Sequence, residues 1–505
     1  MNSTADETVY DLSTQAKSVS NQTPFLKKDV VYIPDENGST SYDRNEIVFN
    51  TINLSNNGRW CDYANDAYIS IPVVVKVSRN AEHEAGVQYN AIRMKSGCSM
   101  VDSIAIEYMN STVVQQRRNI HAYSAFKQHT TLSKNDVDVF GECFSYYKPS
   151  SDWTFNSASK KGLISGDTVE SNVNFYAVPS LDEHKEIISA DSLATSGADF
   201  YEKVGNDHYY YFDQRIRLKD LLFFADMPLV RGTNIKLTLT LNQGTFVHDY
   251  VASALDKVTN SLQGSSCPVL RCNASDYKTS IETIDVKVVK NGVKTHKKTQ
   301  CRMYVPTYVL ESKHELELLN LGVRKVKYSD IYVSKISNVQ KGTFQHLLTN
   351  SIARLSRLII VPILNKASNS SLSMGPMESC YTSEPSVCSP HVISDFNVLL
   401  SGSTVYNQPM KWKYDFFINE LMGKFGNDNG LLNGTSSSLI SMRDYENRFG
   451  YLVVDLRRRL KSDNNTPISV EITGSLLSEL AMDFYCYLEF DREIQINSED
   501  GSLVE

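Results

Sequence analysis

Residues 402–421 read GSTVYNQPMKWKYDFFINEL, and residues 110–129 read NSTVVQQRRNIHAYSAFKQH. Each stretch begins with a Ser-Thr-Val triplet at the end of a strand-like segment. Each then passes through a Gln into an aromatic-rich segment with helical spacing. Because the chain carries the same succession of features twice, the sequence indicates a duplicated folding unit.

Other landmarks repeat in the same order. Pro72 in YISIPVVVKV corresponds to Pro362 in RLIIVPIL at an offset of 290 (362 − 72), and Thr112 corresponds to Thr404 at an offset of 292 (404 − 112). The agreement of two independent landmarks supports two copies arranged in tandem.

A third pair of landmarks reveals an insertion in the first copy. FDQRIRL, containing Asp213, resembles VDLRRRL, containing Asp455, at a shorter offset of 242 (455 − 213). The first copy therefore holds about 50 extra residues between its Ser-Thr-Val triplet and this motif. The extra segment includes KPSSDWTFNSASKKGLISGDTVESN, whose Ser, Asn and Gly content is typical of exposed loops.

The periodicity of the chain predicts strands. In NIKLTLTLN, from Asn234, apolar residues alternate strictly with Lys and Thr, as in a strand with one face in a core. Similar signals occur in YISIPVVVKV, ETIDVKVVKNGVKT, RKVKYSDIYVSKI, RLIIVPIL, ISVEITG and MDFYCYLEFDREIQIN. Helical patterns are limited to the segments after each Ser-Thr-Val triplet and to RLKDLLFFADM. An all-β protein with short helices in its connections is expected.

Two tandem eight-stranded jelly rolls, forming a double jelly roll with short helices and long loop insertions, fit this pattern better than immunoglobulin-like sandwiches, which seldom carry such helices. We expect a polar N-terminal arm at residues 1–40 and a first jelly roll with a large insertion at residues 41–312. A second jelly roll is expected at residues 313–505, with the boundary near Ser312 in YVLESKHELELLNLG.

Charge and hydropathy limit the function classes. The net charge is −7, and the first forty residues are polar and slightly acidic, whereas a flexible arm that packages nucleic acid needs clustered Lys or Arg. No direct sequence-specific nucleic-acid binding is expected. The N-terminus lacks the apolar region of a secretory signal, and no apolar run approaches the roughly 18–20 residues that span a bilayer. These features predict a soluble protein made in the cytosol.

Motifs of catalysis and of metal binding are missing from the sequence. It has no GxSxG, HExxH, P-loop or GxGxxG motif, and none of its 9 cysteines lies in a CxxC pair. Most of the cysteines are expected to be buried thiols. His121 and His129, on one predicted helix, are interpreted as solvated or core side chains rather than ligands. We therefore predict that the protein is not an enzyme, with no catalytic, cofactor-binding or metal-binding residues and no cofactor.

Two further clusters are ambiguous. The aromatic group Trp412, Tyr414, Phe416 and Phe417 could be partly interfacial, although core packing beneath the second barrel is the preferred interpretation. The basic run DLRRRLKSD, from Asp455, is interpreted as a salt-bridged or lattice-contact surface rather than a phosphate site because acidic residues flank it.

Four stretches in order carry a resemblance to a known family. They are IRLKDLLFFADMPLVRGTNIKLTLTLN, FQHLLTNSIARLSRLIIVPILN, FNVLLSGSTVYNQPMKWKYDFFINEL and YLVVDLRRRL followed by TPISVEITG. The chain resembles the major capsid proteins of polinton-like viruses and virophages, within the double jelly-roll lineage that includes adenovirus hexon. The likeness covers most of Asn45 to Asn497.

The resemblance implies a virion protein that forms homotrimers with a pseudo-hexagonal outline. These trimers would build an icosahedral shell around a double-stranded DNA genome, in contact with penton and minor or cement capsid proteins. It also implies synthesis in the host cytoplasm, assembly inside the host cell, and exposure of the insertion after Ser133 and of the loop after Asn365 as an outer crown. Contact with an internal membrane stays open.

Two alternatives share the fold class. A glycan-binding or glycan-cleaving β-sandwich protein would have similar aromatic content, although such proteins usually act outside the cell. A minor capsid component at a vertex is the other, but single jelly rolls are the usual form there. The absent signal peptide disfavours the first alternative, and the duplication disfavours the second.

Overall fold

The computed structural model describes residues 24–36, 46–55, 58–79, 92–95, 98–109, 112–144, 146, 153–155, 177–179, 201–205, 207–251, 254–262, 264–271, 281–288, 300–365, 377, 390–425, 439–447, 449–457 and 465–504. These residues form antiparallel sheets with helices in the connections.

The first half of the chain contains seventeen described strands. They are β1 Phe25–Pro34, β2 Glu46–Asn50, β3 Trp60–Cys61, β4 Tyr68–Arg79, β5 Ile92–Met94, β6 Val101–Tyr108, β7 Thr112–Arg118, β8 Trp153–Phe155, β9 Ala177–Pro179, β10 Tyr201–Val204, β11 Asp207–Arg217, β12 Ile235–Leu241, β13 Gly244–Val251, β14 Ala254–Leu262, β15 Val269–Arg271, β16 Ile281–Val288 and β17 Arg302–Leu310.

The second half contains eight described strands. They are β18 Val323–Val339, β19 Gly342–Ile352, β20 Leu355–Leu364, β21 Ile393–Leu400, β22 Ser403–Thr404, β23 Leu452–Asp455, β24 Ile468–Leu476 and β25 Met482–Asn497.

Helices lie mainly in the connections. They are α1 Ile52–Ser55, α2 Ile120–Thr131, α3 Lys134–Phe144, α4 Ser312–Asn320, α5 Tyr414–Phe425 and α6 Met442–Asn447, with 3-10 turns at Leu218–Asp220, Leu222–Asp226 and Pro390–Val392. Within the described part of the chain, none of these helices combines the length and the apolar character needed to cross a membrane.

The second barrel is a jelly roll without additions to its sheets. One sheet has the order β18-β25-β20-β23 and the other has the order β19-β24-β21-β22. Counted along the chain, these are strands 1-8-3-6 and 2-7-4-5 of eight. This is the double Greek-key arrangement of a jelly roll, in which strands distant in sequence pair side by side.

The first barrel repeats this order with additions. Strands β1-β17-β4-β11 take the positions 1-8-3-6, and β2-β12-β6-β7 take the positions 2-7-4-5. Strand β17 pairs with one part of β4, and β16 pairs with the next part along the same edge of β4. Strand β13 pairs in turn with β16, and β14 pairs with β13. The first barrel therefore carries a second insertion, between its seventh and eighth strands, that the sequence comparison did not predict.

The repeated sequence landmarks occupy equivalent places in the two barrels. Pro72 and Pro362 lie in the third strands, β4 and β20, and Thr112 and Thr404 lie in the fifth strands, β7 and β22. The fifth strand of each barrel is followed by the aromatic-rich helix, α2 or α5. The predicted all-β double jelly roll is confirmed.

Strand burial follows the sequence pattern. Ile235, Leu237 and Leu239 of β12 point into the core, while Lys236 and Thr238 between them are partly exposed. Strand β20 differs, because all ten of its residues are buried. Its inner face joins the core between the two sheets, and its outer face belongs to a separate cluster that includes side chains of α2 and α5. A strand that is covered on both faces has a continuous run of apolar residues in its sequence.

Three details differ from expectation. The arm predicted at residues 1–40 includes β1, which pairs along β17 as the first strand of the first barrel; residues 1–23 lie outside the described residues. The helix predicted in RLKDLLFFADM is a pair of 3-10 turns. The segment directly after Ser133, expected to be an exposed loop of the crown, begins as helix α3, which buries Val137 but exposes Val139 and Phe140.

Other parts of the predicted crown, and the end of the ETIDVKVVKNGVKT segment, lie outside the described residues. They are residues 147–152, 156–176, 180–200, 289–299, 366–376 and 378–389. In the described junction between the barrels, β17 ends at Leu310, α4 follows, and β18 begins at Val323.

Candidate functional site at the junction of the two barrels

Helix α2 belongs to the first barrel by sequence but packs on the second. It follows β7 directly after Asn119, whose φ of 53° is a left-handed conformation that asparagine tolerates better than most residues. The Asn119 carbonyl accepts a hydrogen bond of 2.8 Å from the Tyr487 hydroxyl of the second barrel. The turn before α2 is thereby held against the partner barrel.

The apolar side of α2 covers the outer face of sheet β18-β25-β20-β23. The Tyr123 ring lies 5.7 Å from that of Tyr487, and the Phe126 ring lies 5.2 Å from that of Tyr451 in an edge-on contact. Such aromatic pairs contribute about 0.5–1.5 kcal/mol each beyond the area they bury. These contacts bury the outer face of this sheet of the second barrel in a hydrophobic cluster.

A fully buried ion pair lies beneath this helix. Arg357 of β20 donates from Nη2 to the Glu489 carboxylate of β25 over 2.6 Å, and neither side chain is exposed to solvent. Tyr123 of α2 donates its hydroxyl to the same carboxylate over 2.6 Å. The Arg357 guanidinium also lies 5.2 Å from the centre of the Phe126 ring. The two barrels are thus linked through one desolvated charge pair.

Burial raises the pKa of Tyr123 well above the ordinary value, and the neighbouring Glu489 carboxylate raises it further. Because the hydroxyl stays protonated at neutral pH, it is a donor to the carboxylate there. The contact between Tyr123 and Glu489 therefore links α2 to the second barrel at neutral pH.

A second polar cluster surrounds the buried Asp330 of β18. The carboxylate accepts hydrogen bonds from Gln115 Nε2 at 2.9 Å and from Arg117 Nε at 2.8 Å, both on β7, and it also contacts Arg117 Nη2. Arg492 of β25 approaches it at 3.3 Å. Gln115 Oε1 in turn accepts the backbone N–H of Phe223 at 3.2 Å. One carboxylate therefore joins β7, β18 and β25.

Backbone carbonyls complete the junction. Val114 of β7 accepts hydrogen bonds from the Tyr328 hydroxyl at 3.0 Å and from Arg492 Nη1 at 2.7 Å. At the chain's C-terminal end, Tyr108 donates its hydroxyl to the Gly501 carbonyl over 2.9 Å. A Cβ atom on Gly232 would lie 2.6 Å from the Asp500 carbonyl oxygen, so only glycine permits this close approach. The final residues of the second barrel are thereby packed against the first.

The arrangement is suited to holding two barrels in one orientation. The described donors and acceptors above are paired with one another across the junction, and the charges lie among apolar side chains. Among the described residues, no group of three or more His, Cys, Asp or Glu side chains is placed to hold a metal ion. The junction consists of buried and half-buried polar contacts between the two barrels.

Sequence reasoning did not find this junction, because its partners are far apart in sequence: Arg357 and Glu489 are separated by 132 residues and Gln115 and Asp330 by 215. A signal did exist, since Arg357 lies in the largely apolar strand β20 and Glu489 directly follows the apolar run 484–488 of β25. A charge inside a buried strand usually has a partner.

The ambiguous aromatic cluster is core. Trp412 and Phe417 are buried, with the Trp412 ring 5.0 Å from Phe416 and 5.5 Å from Phe396. Tyr414 and Phe416 pack against the same cores. The preferred prediction of core packing is confirmed.

The two histidines on α2 are also core side chains. His129 is buried, with Nδ1 3.3 Å from the Tyr451 hydroxyl. His121 is buried too, and neither of its ring nitrogens has a hydrogen-bond partner among the described residues. The structure brings neither histidine together with ligand-like partners in the described part of the chain.

His121 is expected to make the protein sensitive to acid. Burial, opposed by Asp102 and reinforced by Lys95, lowers the pKa of His121 from 6.5 to about 4. The unfolded chain therefore binds an extra proton between these values, so stability is lost as the pH falls from 6.5 toward 4, by roughly 3 kcal/mol in all. The melting temperature, measured over this range, should fall less steeply for His121→Leu. The exposed His391→Leu serves as the matched control; an unchanged slope in H121L would contradict the assignment.

The remaining sequence features have simple placements. Cys61, Cys98, Cys267, Cys301 and Cys486 are buried free thiols as expected, whereas Cys143 is exposed. Arg457 Nε donates to Asp455 over 3.2 Å, as expected for a salt-bridged surface; residues 458–464 of the basic run lie outside the described residues.

Comparison with known proteins gives matches to solved structures alone. No protein-family model matches this sequence, and no curated protein matches it either. A chain of the cryo-EM structure of the Sputnik virophage is 13% identical, with a TM-score of 0.52 over 96% of this chain and 89% of that chain. The mavirus major capsid protein is 10% identical, with a TM-score of 0.49 over 96% and 91% of the two chains. The Faustovirus major capsid protein is 10% identical, with a TM-score of 0.44 over 94% and 92%.

At sequence identities of 10–13%, the similarity is evidence for a shared fold. The match to the Sputnik virophage chain covers 96% of this chain, so it extends over both barrels. The resemblance to virophage capsid proteins drawn from the sequence is thus confirmed in the fold. The chain is a double jelly roll that shares its fold with a chain of the Sputnik virophage particle.

Proposed function

We propose that the chain is a structural, non-enzymatic major capsid protein. Its mechanism would be self-assembly, from chain to homotrimer and from homotrimer to an icosahedral shell around a double-stranded DNA genome. The observation that carries the proposal is the joining of two jelly rolls of identical strand order through a buried polar junction. The shared fold with the Sputnik virophage chain supports it.

A rigid pair of similar barrels has a geometric consequence for assembly. Three such chains around a threefold axis place six similar barrels in a ring, so the trimer has a nearly hexagonal outline while each contact between chains remains heterologous and closed. A flexible tether between the barrels would not define that outline. The Arg357–Glu489 and Asp330 clusters are therefore proposed to be assembly determinants that act by fixing the angle between the barrels.

The surface of the first barrel has features that favour association with other protein chains. Strand β1 lies at the edge of its sheet and exposes Leu26, Val30 and Tyr32. Unpaired strand edges with apolar side chains favour association with another chain. Partners of the trimer would be further copies in the lattice, together with penton and minor or cement capsid proteins, with no sequence-specific nucleic-acid contact by this chain.

Location and domain division follow from the same proposal. The protein would reside in the virion shell after synthesis in the host cytoplasm and assembly inside the host cell. We place the division between the two domains within the connection that contains α4, close to Ser312.

Particle formation tests the proposed function directly. The full chain should be expressed, concentrated and imaged by cryo-EM, with a glycan array run on the same preparation. Closed shells or hexagonally packed capsomers without glycan binding are expected. A protein that forms no ordered assembly but binds a defined glycan would overturn the proposal in favour of a carbohydrate-binding role.

A further inference from the structure

The outer face of the first barrel carries a continuous row of aromatic rings, which runs from the edge strand β1 across β17 and β4 to α3. The distances between successive ring centres are 6.3, 4.7 and 6.3 Å along the row Tyr32, Tyr304, Tyr68 and Phe144. Met303 and Ile69, which adjoin two of these residues in their strands, belong to the core. Because neighbouring side chains of a strand point to opposite faces, the rings of this aromatic row point away from the core.

Two guanidinium groups accompany the aromatic row. Arg302 lies 4.8 Å from the centre of the Tyr32 ring, and Arg215 lies 5.7 Å from the centre of the Tyr68 ring. Tyr32 is 53% exposed, while Tyr68, Tyr304 and both arginines are half-buried. Tyrosine and arginine are among the side chains that contribute most of the binding energy in protein interfaces. A face of this composition is suited to contact with another protein surface.

The equivalent face of the second barrel is covered within the chain. There, β25 and β20 take the places of β17 and β4. Tyr485 and Tyr487 of β25 are buried in the cluster that contains side chains of α2, and all ten residues of β20 are buried. Helix α2 has ten of its twelve residues buried, because it lies between the two barrels. The two outer faces therefore have the same strand order but differ in their cover.

Helix α5 is the counterpart of α2 in the second barrel, and it is much less covered. It follows the fifth strand of its barrel, as α2 does. Of the eight residues 414–421, three are buried, namely Phe417, Glu420 and Leu421, whereas Asp415 and Asn419 are exposed. A single chain therefore leaves two surfaces accessible that correspond to the two sides of its internal junction. They are the outer face of the first barrel and the side of the second barrel that carries α5.

We propose that the aromatic row is the docking surface for the second barrel of another copy of this chain, which approaches with the side that carries α5. The contact repeats between chains the packing of α2 on the second barrel within one chain. Because each copy has one aromatic row and one α5, the contact is heterologous and can close into a ring. The inference rests on the proposed homotrimer and identifies the surface that forms it.

The variant Tyr32→Asp tests the surface by analytical ultracentrifugation. A carboxylate placed in a contact between chains has no partner there, so the dissociation constant of the trimer should rise about tenfold or more. The far-UV circular dichroism spectrum should stay unchanged, because Tyr32 is exposed. Leu347→Asp is the matched control, since Leu347 is 54% exposed but lies in the other sheet of the second barrel, on β19. The control should leave the dissociation constant unchanged.

Photocrosslinking identifies the occupant without removing the aromatic row. p-Benzoylphenylalanine at position 32 keeps an aromatic side chain there. Isotope-labelled and unlabelled chains that are assembled together distinguish crosslinks between chains from crosslinks within one chain. Crosslinks between chains are expected to reach residues 393–425, which contain β21, β22 and α5. Crosslinks to the first barrel of another chain, or none between chains, would contradict the assignment.

The wild-type chain distinguishes this inference from the function on which it rests. If the wild-type chain forms trimers and shells while Y32D trimerises equally well, the inference is overturned and the capsid role stands. If the wild-type chain stays monomeric, the inference and the proposed function are overturned together. Loss of the trimer in Y32D but not in L347D, with crosslinks to the second barrel, is the result that supports the inference.

Discussion

Replacing Arg357 by methionine is expected to lower the free energy of unfolding by about 3–5 kcal/mol, the cost of leaving a buried charge without its partner. Arg357 and Glu489 are both inaccessible to solvent, and their contact is 2.6 Å long. Once the guanidinium is gone, the Glu489 carboxylate keeps Tyr123 as a donor but loses its opposite charge. Urea unfolding followed by intrinsic fluorescence, at equal protein concentration, measures the loss.

A triple variant distinguishes loss of a partner from loss of packing. Tyr123→Phe, Arg357→Met and Glu489→Leu together remove the whole polar cluster while keeping side chains of similar size. Buried ion pairs replaced by apolar groups of similar volume are often neutral or stabilising. The triple variant should therefore recover most of the stability lost in R357M. If it is instead as unstable as R357M or worse, the cluster contributes through packing geometry, and the electrostatic account is wrong.

Replacing Asp330 by alanine is expected to split the heat-absorption profile into two transitions. Asp330 is the common acceptor for Gln115 and Arg117 of the first barrel and for Arg492 of the second. Without it, the two guanidinium groups face each other with no intervening carboxylate, and the link between the barrels is weakened. Calorimetry should show one cooperative transition in the native protein and two in D330A, because each barrel then unfolds separately.

Asp491→Ala is the matched control for this prediction. Asp491 lies on the same strand as Arg492 but is exposed to solvent. Its loss is expected to shift stability by no more than about 0.5 kcal/mol and to leave a single transition. A single, unshifted transition in D330A would mean that the aromatic contacts of α2 couple the barrels without the carboxylate.

The duplicated fold could be predicted from the sequence because its signals are local. The alternation in β12 depends on side chains pointing to opposite faces of one strand, so it is visible in a short window. Strand β1 was missed for the converse reason. It is an edge strand with mostly exposed side chains, and Ile33 is the only one of its ten residues that is buried. Its sequence therefore lacks the strict alternation of apolar and polar residues that identifies β12.

The junction could not be predicted, because it depends on pairings between the barrels. The sequence around Asp330 does not indicate that Gln115 is its partner, and the sequence around Gln115 does not indicate Asp330. The two residues are more than 200 positions apart in the chain. The continuous apolar run of β20 did contain information, since a strand buried on both faces requires a cover on its outer side. The identity of that cover, helix α2 of the other barrel, follows only from the tertiary arrangement.

The solution mass of the purified full-length chain, measured by light scattering with negative-stain images of the same peak, tests the central claim most directly. A trimer of three 56.9 kDa chains, roughly 171 kDa, with a hexagonal outline is the expected result. A monomer that persists at high concentration, with no hexagonal particles, would contradict the proposal that this double jelly roll is the repeating unit of a capsid.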